Sequence, residues 1–137
     1  MNEVIDFLAK SQTFYVSTVN ENNMPEVRPF GFIMEWNGKP AFSTGTFKKV
    51  YGQLQNNPNI AICAFIAEKM QWMRIAGKVK FTNDIEAKRK ILETMPMLKE
   101  MYKSEDSPVL ACFYIEEGEA AYYSFDSMNE PTKVIQI

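Results

Sequence analysis

Apolar positions along the chain recur with two spacings, and each switch between them marks a new element. Val4, Ile5 and Leu8 share one side of residues 2–11, which reads as a short amphipathic helix. "TFYVSTVN" (13–20) is rich in β-branched and aromatic residues and reads as a strand. "ENNM" is a turn, and "PEVRPFGFIMEW" (25–36) a second strand, with Pro29 marking an edge or a bend. "NGK" (37–39) is a strong hairpin signal, and "PAFST" follows as a third strand. Phe47, Val50, Tyr51 and Leu54 then fall on one helical face, and Pro58 makes continuation of that helix unfavourable. "NIAICAFIA" (59–67) is continuously apolar, so the expectation is a strand covered on both faces. Residues 71–83 alternate, with Trp72, Arg74, Ala76, Lys78 and Lys80 against Met73, Ile75, Gly77, Val79 and Phe81. A helix capped by Asp84 and broken at Pro96 comes next. "SPVLACFYIEEGEAAYYSFD" reads as a hairpin turning at "EEGE", and "TKVIQI" as a last short strand. Helices interleaved with neighbouring strands give an α+β chain whose antiparallel sheet closes as a barrel.

Composition narrows the chemistry. At 137 residues the chain is one domain, 46% apolar and 23% charged, as in ordinary soluble proteins. A net charge of −2 argues against a nucleic-acid partner. No run reaches membrane-spanning length, and "MNEVIDFLAKS" lacks a signal-like apolar core, so a cytoplasmic protein with no membrane partner is expected. Histidine is absent, which removes the commonest general base and metal ligand, and no metal site is expected. Cys63 and Cys112 lie in apolar runs and read as buried strand thiols. With no nucleophile–base set, P-loop or GxGxxG, any chemistry must be carried by a bound cofactor.

One stretch, "FSTGTFKKVYGQLQNNP" (42–58), raises a charge problem. Lys48 and Lys49 sit in the first turn of a helix, where the backbone dipole disfavours cations. Either the helix is conventionally capped and the lysines are solvated, or an anion sits there. Ser43, Thr44 and Thr46 supply hydroxyls for the second reading. Arg28, in "EVRPFGF", either snorkels to solvent or holds an anion with its planar fork. Arg74, in "QWMRIAG", is either a surface residue with or without a carboxylate partner, or a third anion contact.

Taken in order, "VRPFGF", "STGTFKKVYGQLQNNP", the apolar strand and "WMRIAGKVKF" resemble the pyridoxamine 5′-phosphate oxidase-like FMN-binding split barrels, over about residues 1–125. The resemblance implies an antiparallel six-stranded split β-barrel with flanking helices, one domain over 1–137, forming a homodimer with FMN at the subunit interface. It implies an oxidoreductase acting on a small-molecule substrate. Arg28, Pro29 and Phe30 would run beside the flavin, Ser43 and Thr44 would touch the ribityl chain, and Thr46, Lys48 and Lys49 would form the phosphate site. Gln71, Trp72 and Arg74 would approach the flavin, and Tyr122, Tyr123 and Phe125 would complete the pocket from the partner. Tyr51 or Tyr123 would be the available acid–base group. The alternatives are a non-catalytic flavin carrier or sensor, or a barrel binding a deazaflavin or pyridoxal phosphate. The chain is shorter than the oxidases that make pyridoxal phosphate. Without histidine, it does not suit histidine-ligated haem or histidine-dependent nitroimidazole-resistance reductases.

Overall fold

Eight strands, paired antiparallel throughout, and four helices make up the computed structural model, which describes residues 2–137. Helix α1 (Glu3–Ser11) is capped by Asn2, whose side chain accepts from the Val4 and Ile5 amides. Strands β1 (Phe14–Val19) and β2 (Pro25–Phe30) form a hairpin. Strands β3 (Met34–Trp36) and β4 (Lys39–Gly45) form another. Its turn holds Asn37 and Gly38 at φ 49° and 79°, the double left-handed geometry that "NG" favours. Helix α2 (Lys49–Asn56) leads into β5 (Asn59–Ile66) and β6 (Gln71–Thr82). Helix α3 (Ile85–Thr94), capped by Asp84, and the short α4 (Leu98–Tyr102) precede β7 (Leu110–Ser124) and β8 (Lys133–Gln136).

The strands run β2-β1-β5-β6-β7-β4-β3, with β8 also on β7. Hydrogen bonds do not close this sheet, but it coils back on itself. Phe30 on β2 lies 6.3 Å from Phe42 on β4 and 6.1 Å from Phe113 on β7, although β2 and β4 are far apart in the strand order. Phe14, Phe42 and Phe113 are fully buried, and α1 and α2 add Val4, Leu8, Val50 and Leu54 to the same core. That is a split barrel, with eight paired strands where six were expected. A second core lies under α3 and α4, where Ala41, Ile91, Leu92, Tyr102, Leu110 and Cys112 meet.

Four sequence expectations are corrected. Residues 25–36 form two strands, not one: β2 pairs with β1, and β3 with β4, across the crossing at 31–33. The "EEGE" turn does not exist; β7 runs straight through it. Gly118 faces Gly77 on β6, and a Cβ on either would lie 2.5 Å from the opposite strand's backbone oxygen. These glycines allow a close approach beside the bulge at Lys78/Val79, which is what coils the sheet. Strand β5 is buried on one face only, leaving Ala61, Cys63 and Phe65 open. Cys63 is therefore exposed, while Cys112 is buried as expected, its thiol pushed up to about 12 chiefly by that burial.

Candidate functional site

The turn from β4 into α2 gathers polar groups that the chain itself does not satisfy. Lys48 is the N-cap of α2 in an extended conformation, and its side chain makes no cap hydrogen bond. Lys49 opens the helix, and both lysines are exposed. The conventionally capped helix is thus not what forms: the Tyr51 amide donates to Lys48 O at 3.1 Å, and the Lys49 and Val50 amides are left to water or a ligand. Thr44 is 3% exposed, and its Oγ1 has no hydrogen-bond partner among the described residues. Burial of an unpaired hydroxyl costs about 1–3 kcal/mol, so such groups call for an explanation. Ser43, placed with Thr44 by sequence, points to the opposite face of β4, beside Cys112 and the second core. The Thr46 amide donates to Val109 O at 2.9 Å, which ties the turn to the start of β7. Phe47 is not in the core: it is 64% exposed, and only Val50 and Leu54 of the expected face are buried.

Arg28 has a different setting. Its Nη1 donates to Thr18 Oγ1 at 2.7 Å and to Val16 O at 3.2 Å, and its Nη2 to Gln53 Oε1 at 3.0 Å. Thr18, 1% exposed, also donates to Gln53 Oε1 at 2.5 Å. Glu26 sits 3.9 Å from the guanidinium and accepts from Asn20 Nδ2 at 2.9 Å. Hydrogen bonds from Asn20 and then Gln53 hold the Glu26 carboxyl below its ordinary pKa. Burial lowers that of Arg28, which stays charged all the same. The network joins β1 and β2 to α2, one helical turn after Lys49. It floors a polar groove of about 600 Å³ lined by Asn20, Glu26, Lys49, Gln53 and Asn56 among others. The fork of Arg28 is thus engaged by its own chain. Phe30, expected beside the flavin, packs into the phenylalanine core, and Pro29 is exposed beside Tyr15 on the outer face.

The remaining predicted residues lie elsewhere. Trp72 stacks on Tyr123 with centroids 5.7 Å apart and rings 9° from parallel. Phe125 meets the Trp72 edge at 5.6 Å, and the Arg74 guanidinium lies 5.3 Å from the Tyr123 centroid. Arg74 forms no ion pair among the described residues. Gln71 is exposed at the start of β6. This cluster borders a concavity of about 320 Å³ on the outer sheet face, lined by Tyr15, Val27, Cys63, Arg74, Ala121 and Tyr123 among others. Tyr122 does not join it. It points under α1, its ring 5.5 Å from Phe7, and its buried hydroxyl is pushed up to about 12 by burial and by Glu3 and Asp6. Within one chain the two groups occupy opposite ends of β7: Gly45 pairs with Leu110 and Trp72 with Tyr123. Thirteen residues of strand separate those pairs, about 40 Å along the backbone.

Tyr102 is the residue the sequence reading missed. It is 3% exposed, and its hydroxyl is held over Gly45, 2.9 Å from where a Cβ there would lie. Only the folding of α4 against β4 and β7 brings it there, and no local pattern announces that. Among the described residues no cluster of His, Cys, Asp and Glu could hold a metal ion, and no helix is long and apolar enough to cross a membrane.

The comparisons agree with this architecture. A nimC/nimA family protein from Clostridium acetobutylicum is similar at 33% identity and a TM-score of 0.88, covering 98% of this chain and 91% of that one. General Stress Protein 26 from Bacillus anthracis has 19% identity and a TM-score of 0.76, over 98% and 97% of the two chains. A pyridoxamine 5′-phosphate oxidase described as putative, from Listeria innocua, has 15% identity and a TM-score of 0.67, over 98% and 95%. These last two likenesses are of fold. No curated protein matches the chain. The family model described as pyridoxamine 5′-phosphate oxidase matches residues 1–125. With that match spanning nearly all of the barrel, the chain belongs to the pyridoxamine 5′-phosphate oxidase family.

Proposed function

We propose that the chain binds FMN, with its phosphate at the start of α2, and acts as an oxidoreductase on a small molecule. The observation that carries this reading is the β4–α2 turn. In a chain of this family, a helix start without a side-chain cap carries two lysines and follows a buried, unpartnered threonine hydroxyl. Free amides, Lys48 and Lys49 supply donors and charge for a phosphate, and Thr44 supplies a further donor to the same ligand. The groups present therefore suit FMN. When bound, FMN supplies the electron transfer; the protein binds it, orients it and keeps water away. Arg28, through Gln53, braces α2 so that Lys49 is held over the groove.

In this reading a homodimer completes the site. Gln71, Trp72, Arg74 and Tyr123 are held at the far end of β7 from the lysines of their own chain, so a second copy must bring them to the cofactor. The open face they border is apolar, with Tyr15 51%, Val27 65% and Phe65 44% exposed, as expected of a surface that a second copy covers.

Freshly purified protein is expected to show the absorbance of oxidised flavin and the mass of a dimer. A colourless protein that ignores added FMN would overturn the reading and favour a deazaflavin or pyridoxal phosphate. The absence of histidine favours one second reading, a flavin carrier without its own catalysis. It predicts that no oxidant in a broad panel reoxidises the reduced holoprotein faster than free FMN.

A further inference from the structure

We propose that the concavity on the outer sheet face is a substrate pocket, and that it takes a small planar aromatic carboxylate whose anionic group pairs with Arg74. The proposal rests on the flavin reading for the cofactor that such a substrate would meet, and it names the substrate class which that reading leaves open.

The chain treats its three arginines differently. Arg28 lies 3.9 Å from the Glu26 carboxylate, and Arg89 is bound by both Glu86 and Glu105. Arg74 alone has no carboxylate among the described residues, and it is the one that borders a hollow. Its cross-strand neighbours are Cys63 on β5 and Ala121 on β7, neither of them a carboxylate. Glu119 borders the same hollow, but its Oε2 accepts from Gln136 Nε2 on β8 at 3.3 Å. Arg74 is nonetheless held in place. Its guanidinium lies 5.3 Å from the Tyr123 centroid, and Tyr123 is in turn stacked on Trp72. An arginine steadied by an aromatic ring rather than by a counter-charge keeps its fork of donors for a planar anion.

The hollow supplies the rest of the recognition. Ala61, Ala76 and Ala121 face it from three adjacent strands and are too short to fill it, while Tyr15, Val27 and Tyr123 stand around them. Its volume of about 320 Å³ lies at the small end of ligand pockets and suits a compound of one or two rings. Apolar and aromatic walls with one uncompensated cation complement a ligand that joins an apolar ring to a single anionic group. A second copy laid on this open face would shut water out of the hollow, which strengthens the pairing of that group with Arg74.

The test uses cinnamate and its neutral counterpart cinnamamide, each titrated by calorimetry into the protein as purified, with the visible spectrum reporting flavin separately. Cinnamate is expected to bind about ten- to a hundredfold more tightly than cinnamamide, as charge-assisted hydrogen bonds to the guanidinium require. Arg74→Gln is expected to abolish that preference, and Arg74→Lys to restore part of it. Equal binding of the two compounds, binding of neither, or a preference that survives in R74Q would overturn the proposal, and in a yellow protein would leave the cofactor reading standing. A colourless protein that keeps the Arg74-dependent preference would remove the cofactor and uphold the pocket. If R74Q does not fold, Ala121→Leu fills the hollow without touching the charge. It is expected to abolish binding of both compounds, and undiminished cinnamate binding by A121L would refute the pocket.

Discussion

Two polar clusters meet helix α2, and they differ in one respect that matters. Around Arg28, the polar groups answer each other: Thr18, Gln53, Val16 O, Glu26 and Asn20 form a connected set under the β1–β2 hairpin. Around the β4–α2 turn, Thr44 is buried with a hydroxyl that answers to nothing among the described residues. A satisfied network stabilises the fold and needs no ligand. An unsatisfied one is a standing cost that a ligand can relieve. By that measure Arg28, the more conspicuous residue in the sequence, is a brace, and the turn is the better place for the proposed cofactor.

The contrast is sharpest under substitution. Lys48→Gln with Lys49→Gln is expected to weaken FMN binding about a hundredfold or more, with riboflavin binding and stability unchanged. Equal loss for both flavins would place the phosphate elsewhere. Arg28→Met is expected to destabilise the chain by about 2–3 kcal/mol in urea unfolding, since it removes the charge-assisted bonds to Thr18 Oγ1, Val16 O and Gln53 Oε1 that join the hairpin to α2. An Arg28→Met protein as stable as wild type, but poor in FMN binding, would reverse the assignment of the two clusters. Thr18→Val, at a hydroxyl with two partners, is expected to cost about 1–2 kcal/mol. The same exchange at Thr44 removes an orphan, so T44V is expected to keep or gain stability, within about 1 kcal/mol, while FMN affinity drops. If T44V and T18V lose equal stability, the distinction between the clusters fails.

The outer sheet face offers a separate lesson on periodicity. "NIAICAFIA" shows no alternation of apolar with polar residues, and so reads as a strand covered twice. The alternation is present in burial, with Ile60, Ile62, Ala64 and Ile66 inside and Ala61, Cys63 and Phe65 outside. An apolar residue on an open face looks identical in sequence to one in a core, because composition does not record which surface a side chain meets. "EEGE" misled in the same way. Glycine among acids suggests a turn, but Gly118 is required by the close passage of β6, which lies some forty residues earlier in the chain.

By itself, the sequence determined the elements whose signals are local. These are the Asp84 cap, the Asn37–Gly38 hairpin, the alternation of β6 and the buried stripe of Val50 and Leu54. It also singled out the β4–α2 turn as the proposed anion site, since misplaced lysines at a helix start are a local conflict of charge with dipole. The tertiary structure alone decided the rest. It turned Ser43 away from Thr44, spent the fork of Arg28 on Gln53, set Trp72 and Arg74 at the opposite end of β7 from the lysines, and carried Tyr102 over Gly45. Each of those outcomes depends on partners distant in the chain. Hydrogen-bond satisfaction is a property of such pairs, and no single stretch of residues contains it.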